Sequence, residues 1–409
     1  MDKRKVLIER FLRYVAVPSQ SDASAGVVPS SQGQIELGRL LVEDLKALGL
    51  EDIYQDEHGI VYGSLPGNVQ AKTIGFISHL DTVNVSLSPE VHPQILKYEG
   101  GDVLLNKEKN ISIKLSEHPE LAKYEGEEII FTDGTSVLGA DNKAAMTNIM
   151  TMLEVLTSDK NIKHGPIKVA FVPDEEIGLC GSKLLDLERF KVDFAYTIDS
   201  CELGEVVYQT FNAGSALLKV TGVSAHPMSS KGVLVNPLLV AHDFIEMFDR
   251  EQTPECTEGL DGYWWFNGIK ADALNCSLNI HIRDHDKKNY EWRKEVLLEN
   301  VEKLKKLHPR AKIEFSITDV YENIANNVKV SDKPIAMLFD ALDELKIEPK
   351  VYAMRGGTDG SALSARGVVT PNYFTGAHNF HSYAEFLPLK SFEKSLAVTL
   401  KLIELNART

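Results

Sequence analysis

Three short apolar runs constrain this chain more than any other feature. IGFIS (74–78), IKVAFV (167–172) and FAYTID (194–199) are of strand length. Each leads into acidic or imidazole side chains: His79-Leu80-Asp81, Pro173-Asp174-Glu175-Glu176 and Asp199. Runs that short and apolar suit strands buried on both faces, as in sheets covered by helices. The intervening sequence agrees. IELGRLLVEDLKALGL sets Leu37, Leu40, Leu41, Leu45 and Leu48 at helical spacing with Gly49 as a stop, and 141–157 reads as another helix. The expectation is an α/β fold, a mixed sheet flanked by helices.

A chain of 409 residues exceeds a single core. Residues 84–130 are polar, carry Gly100-Gly101 and read as an inserted arm or hairpin excursion. From 212 the pattern changes. GSALLKVTGV reads as a strand, NPLLVAHDFIEMFDRE as a helix, GYWWFNGIKA and LNCSLNIHIRD as two strands, KKNYEWRKEVLLENVEKLKKLH as a helix and AKIEFSITDVY as a closing strand. That βαββαβ order is a unit able to fold alone. The α/β rhythm returns with IAMLFDALDEL, a strand near 350, a Gly-rich loop and a terminal helix over 388–406. The expected organisation is a discontinuous α/β domain, 1–211 and 324–409, with an α+β domain inserted at 212–323.

Open α/β sheets build sites at the carboxyl ends of their strands, where the acids and imidazoles of this chain collect. His79 and Asp81 are two apart on a strand and share a face. They suit a metal-bound imidazole oriented by a carboxylate, or a purely structural pair. Asp141 precedes a helix and reads as its N-cap or as a ligand. Glu175 and Glu176 read as a solvated turn or as a cation site, one carboxylate ligating while its neighbour acts as a base. The sequence leaves open which does which. Asp199 ends a strand, and His378 and His381 sit in a late loop. This mixed set suits zinc, or manganese or cobalt, and two ions sharing a carboxylate could activate water and polarise a carbonyl.

Charge points the same way. With 44 basic and 59 acidic residues the formal net charge is −15, which argues against nucleic acid and anionic membrane as partners. No apolar stretch approaches the roughly 18 residues of a membrane span. The charged N-terminus lacks the apolar core of a signal peptide. The four cysteines form no C-x-x-C pair and fit a reducing, cytoplasmic setting.

SHLDTV, GADNKAAM, PDEEIG, TIDS, AHP, MRGGTDGS and HNFHSYAEF, in this order, resemble the M20 family of co-catalytic zinc peptidases. RGGTDG with TPNYFTG resembles its tripeptide-aminopeptidase branch. The resemblance runs along essentially the whole chain. It implies a catalytic α/β domain with a lid domain, and two zinc ions per chain. His79 and Asp199 would ligate one ion, Glu176 and His381 the other, and Asp141 both. Asp81 would orient His79, and Glu175 would be the general base. In the insertion, His226 would help hold the oxyanion, while Asn236 and Arg283 would contact the far end of the peptide. Arg355 would add a contact to a substrate carboxylate. The implied activity is release of the N-terminal residue from tripeptides. The alternatives within the family are a dipeptidase, a carboxypeptidase or an N-acyl amino-acid deacylase. Some members dimerise through the lid, so a homodimer fits. Asn142 after Asp141, Ala144-Ala145, the LCGSKLLDLERF run and the aromatic YWW at 263–265 depart from the family pattern. The first departure barely touches the ligands, and the later ones bear on substrate preference rather than on the chemistry.

Overall fold

Ile74–His79 is buried along its whole length and forms the middle of an eight-stranded mixed sheet. The computed structural model describes residues 2–408. Ile167–Val172 and Phe194–Ser200 flank the middle strand in parallel, with Ile74 opposite Ile167 on one side and Phe194 on the other. That register sets His79 beside Val172, so Pro173–Glu176 emerge next to it. Asn372–Phe374 runs parallel to Phe194–Ser200 and delivers the loop with His378 and His381 to the same end. The sheet is completed by Glu51–Gln55 and Val61–Leu65 on one side, and by Glu205–Gln209 and Lys350–Ala353 on the other.

Ala140–Ser158, buried along most of its length, packs on the middle strands and against the helices Lys3–Val15 and Leu389–Ala407. The sequence alone assigns no element to residues Lys3–Val15. They form an amphipathic helix, because Leu7, Phe11, Tyr14 and Val15 recur at helical spacing and enter the core. The hairpin of Glu51–Gln55 and Val61–Leu65 also had no clear sequence signature. Its first strand is half-exposed. The second carries Gly63, where an added Cβ would meet Leu45 and Val169 at 3.2 and 3.3 Å.

Within 84–130, Gln94–Lys97 pairs with Glu128–Phe131, which pairs in turn with Phe386–Pro388. A small hairpin, Val103–Asn106 with Ile111–Ile113, and a 3-10 turn, Pro119–Tyr124, complete this arm. Tyr98, Leu105, Ile113, Leu121, Tyr124, Phe131 and Phe386 give it a core of its own.

The chain divides into two compact units. One comprises Met1–Tyr208, Asn327–Tyr352 and Thr358–Thr409; the second comprises Gln209–Asn326 and Ala353–Gly357. The second unit has a four-stranded antiparallel sheet, ordered Tyr263–Ala271, Asn275–Asp284, Asn212–Thr221 and Lys312–Tyr321. Its helices Pro237–Ile245 and Lys287–Leu307 pack on this sheet around Leu218, Phe244, Ile280, Leu297 and Leu304. The short segment Ala353–Gly357 joins this unit through hydrogen bonds from Met354 N to Gln209 O and from Phe211 N to Gly356 O.

Candidate metal centre

The strand ends bring His79, Asp81, Asp141, Glu175, Glu176, Asp199 and His381 together. Asp141 lies between two imidazoles: His79 Nε2 is 3.0 Å from its Oδ1, and His381 Nε2 is 3.0 Å from its Oδ2. His381 Nε2 is also 2.9 Å from Glu176 Oε1, and His79 Nε2 is 3.7 Å from Asp199 Oδ1. Donor atoms of His79, Asp141 and Glu176 all lie within 4.8 Å of one another.

Asp81 organises one side. Its Oδ1 accepts from Glu175 N at 3.0 Å and its Oδ2 from Glu176 N at 3.1 Å. His79 Nδ1 faces two acceptors of Asp81, the backbone oxygen at 3.0 Å and Oδ1 at 3.4 Å. Nδ1 therefore carries the ring proton, and Nε2 turns a lone pair toward Asp141 and Asp199. Acceptor then faces acceptor, and only a cation or a second ring proton satisfies the pair. His381 Nε2 likewise faces two carboxylates, those of Asp141 and Glu176.

The electrostatics express that unmet demand. Burial opposes the charged form of both imidazoles, but the hydrogen-bonded carboxylates outweigh it. His79 rises well above the ordinary range and His381 is pushed up to about 11. Burial raises Glu175 strongly, with the negative charges of Asp199 and Glu176 adding to it against His79. Burial and Asp141 lift Glu176 to about 8, and Asp199 rises to about 6, chiefly by burial. Asp141 stays far below the usual carboxylate range despite burial, because two imidazoles hold it ionised. Five carboxylates converge on two imidazoles. Two divalent cations would nearly neutralise that set, and the N and O donors suit zinc, manganese or cobalt.

Asp141 is not the helix cap. Its own backbone is non-helical, at φ −82 and ψ 100, and its side chain makes no capping bond. Glu385 takes that role: Oε2 accepts from Gly139 N at 2.8 Å and Oε1 from Asp141 N at 3.1 Å. The sequence reading did not single out Glu385. Its signal was an acid embedded in the apolar run AEFLPL. Two further buried charges were also unassigned. Lys143 donates to Val17 O at 2.7 Å, and burial lowers it to about 7. Asp359, in MRGGTDGS, is buried with neither oxygen hydrogen-bonded, and burial raises it to about 7.

The other four candidates lie in the second unit, each tied locally. His226 Nδ1 accepts from Met228 N at 3.2 Å. Asn236 Oδ1 caps Pro237–Ile245 by accepting from Leu238 N at 3.0 Å. Arg283 Nη1 donates to Gly214 O and Ile282 O, at 3.0 and 2.9 Å. Arg355 Nη1 donates to Gly259 O and Asp261 O and its Nη2 to Thr257 Oγ1, while the guanidinium lies 5.2 Å from the Phe211 ring centre and 5.3 Å from that of Tyr263.

Residues 139–405 match the model of peptidase family M20/M25/M40. A peptidase T-like protein of Yersinia pestis is 57% identical over 394 residues, 96% of each chain. Peptidase T of Fusobacterium nucleatum is 40% identical over 412 residues, covering both chains fully. The crystal structure of a tripeptidase from Staphylococcus aureus superposes with a TM-score of 0.78 at 21% identity, covering 99% of each chain, and so shares the fold. The chain belongs to the M20/M25/M40 family of peptidases and is a hydrolase of peptide bonds.

Proposed function

We propose that this protein is a two-metal aminopeptidase that releases the N-terminal residue of tripeptides. One observation carries the reading: the Asp141 carboxylate lies between two imidazole nitrogens, 3.0 Å from each, and the ring proton of neutral His79 is held by Asp81 on the far side. His79 and Asp199 would hold one divalent ion, Glu176 and His381 the second, and Asp141 both. Zinc is the proposed metal, with manganese or cobalt able to replace it. Bound there, the ions supply Lewis acidity to the scissile carbonyl and the attacking water.

The side chains divide the remaining work. Glu176 turns its carboxylate to His381, whereas Glu175 makes no side-chain hydrogen bond among the described residues, so Glu175 is free to take the water proton. Burial raises its proton affinity, which suits a base that must then hand the proton to the leaving amine. Asp81 fixes the backbone of both glutamates and the ring of His79. To the second unit we assign substrate recognition: His226 for the oxyanion, and Asn236, Arg283 and Arg355 for the far end of the peptide. The names of the peptidase T relatives and of the tripeptidase neighbour support the choice of tripeptide. The four free cysteines support a cytoplasmic setting. No described helix is long and apolar enough to cross a membrane.

A size-graded substrate panel on metal-stripped protein, with zinc, manganese or cobalt restored, tests the proposal. Free tripeptides should turn over fastest, and N-acetylated tripeptides should not be cleaved. Faster cleavage of dipeptides, or of N-acyl amino acids, would assign the centre to another hydrolase of the family.

A further inference from the structure

His381 is the least enclosed member of the centre. Its side chain is 45% exposed, its backbone sits at φ 63, and its ring bonds only Asp141 and Glu176 among the described residues. Packing around the ring cannot orient a side chain that open, so the loop backbone must do it. That loop is closed at its base by hydrogen bonds between His378 and Phe386, N to O at 2.9 and 3.2 Å. Just before that closure stands Glu385, which fixes Gly139 and Asp141.

The arm of residues 84–130 grips two consecutive residues of the same loop. The Tyr124 hydroxyl is 2.6 Å from His378 Nε2. Burial pushes Tyr124 up to about 12 and His378 down to about 4, so both stay neutral. The Tyr124 ring meets the rings of His378 and Phe386 edge-on, at 5.3 and 6.0 Å, and His378 stacks on Phe386 at 4.9 Å. One residue on, Asn379 also takes a positive φ of 58. Its Nδ2 donates to Glu120 Oε1 at 2.8 Å and lies 3.1 Å from His118 Nδ1. The arm thus bonds both residues that lead into Phe380-His381.

We propose that the arm is a clamp that positions His381, with Tyr124 and Glu120 as its positioning residues, so that the arm tunes how tightly the ion assigned to Glu176 and His381 is held. This rests on the reading of His381 as a ligand. Partners that orient a ligand from outside typically change metal affinity by about 10–100-fold.

The test is titration of metal-stripped wild type, Tyr124→Phe, Asn379→Ala, Glu120→Gln and His381→Ala with zinc and with cobalt. It reads stoichiometry, both dissociation constants, the cobalt absorption band and the melting temperature of the metal-free protein. Tyr124→Phe keeps the ring and loses only the hydroxyl. It and Asn379→Ala should each weaken one of the two ions by about 10-fold and leave the other ion; Asn379→Ala, which puts alanine at φ 58, should also lower metal-free melting somewhat. Glu120→Gln keeps an oxygen for Asn379 but loses its charge, and should weaken the same ion by less than Asn379→Ala does. Wild-type affinities for both ions in Tyr124→Phe and Asn379→Ala would overturn the clamp. So would equal weakening of both ions together with a lower metal-free melting temperature, which marks a general structural role. Retention of both ions at full affinity by His381→Ala would overturn the ligand assignment itself, a failure visible in that variant alone.

Discussion

The polar groups of the two units are satisfied in opposite ways. In the strand-end cluster, imidazoles and carboxylates crowd together: His79 Nε2 and His381 Nε2 meet only carboxylate oxygens. In the inserted unit, three of the four candidates have one end tied to backbone. His226 and Asn236 accept from amides two residues on, and Arg283 bonds main-chain oxygens with Nη1 alone. The first pattern is unstable without a cation and so points to one. The second is stable as it stands, and leaves His226 Nε2, Asn236 Nδ2 and Arg283 Nη2 without a hydrogen bond among the described residues. Ligands that organise a site therefore announce themselves in a free structure, whereas groups that wait for a substrate do not.

The sharpest attack on the first half of this contrast is Glu175→Gln. The substitution keeps size and polarity but removes the base. Asp81 holds residue 175 by its backbone N–H, so the fold of the strand end should survive. Turnover should fall by about 10²–10⁴-fold while two ions stay bound. Metal analysis of the purified variant beside its kcat decides the matter. Near-normal kcat with both ions present would mean that another group takes the proton.

Much of the metal unit was legible because its signals are local. A strand that ends in His-Leu-Asp or Pro-Asp-Glu-Glu announces both its burial and its unusual exit. Long-range partners were not legible. Glu385 acts on Gly139 and Asp141 across some 245 positions, and nothing near it in sequence shows that the loop folds back on that helix start. Asp359 follows Gly356-Gly357-Thr358, and nothing in that run shows that its carboxylate is buried. Glu51–Gln55 lacked a clear apolar alternation because it is a half-exposed edge strand. In the inserted unit the βαββαβ order followed from clean alternation and helical spacing. The roles of its His, Asn and Arg came from family resemblance alone, since each has an ordinary local partner.

Arg283 and Arg355 sharpen the second half of the contrast. Arg283 uses only Nη1, so its remaining donors suit a two-pronged hold on a carboxylate. Arg355 engages both terminal nitrogens with Thr257, Gly259 and Asp261 and stacks near Phe211 and Tyr263. Arg283→Met should raise KM for a free tripeptide by about 10-fold or more, since a hydrogen bond to a charged group contributes roughly 1.5–3 kcal/mol. The same variant should discriminate less between the tripeptide and its C-terminal amide. Arg355→Met should move KM less and lower the melting temperature, because the loop over 257–261 loses its anchor. Measuring kcat/KM on acid and amide with both variants ranks the two residues. A larger KM effect at Arg355 would mean that satisfied donors are still recruited by substrate, and the contrast would fail there.

The smallest effect is expected at Asn236, where one side chain has two separable ends. Its Oδ1 caps Pro237–Ile245, and its Nδ2 is the end left for a substrate acceptor. Asparagine and aspartate are comparable N-caps, whereas alanine forfeits about 1 kcal/mol. Asn236→Asp should therefore melt with the wild type yet raise KM several-fold, because a carboxylate cannot donate to the peptide carboxylate and repels it. Asn236→Ala should raise KM similarly and also melt lower. Thermal melts and KM on one tripeptide separate the two roles. If Asn236→Asp leaves KM unchanged, Asn236 is a cap and no more, and the length of peptide accepted must be read by Arg283 without its help.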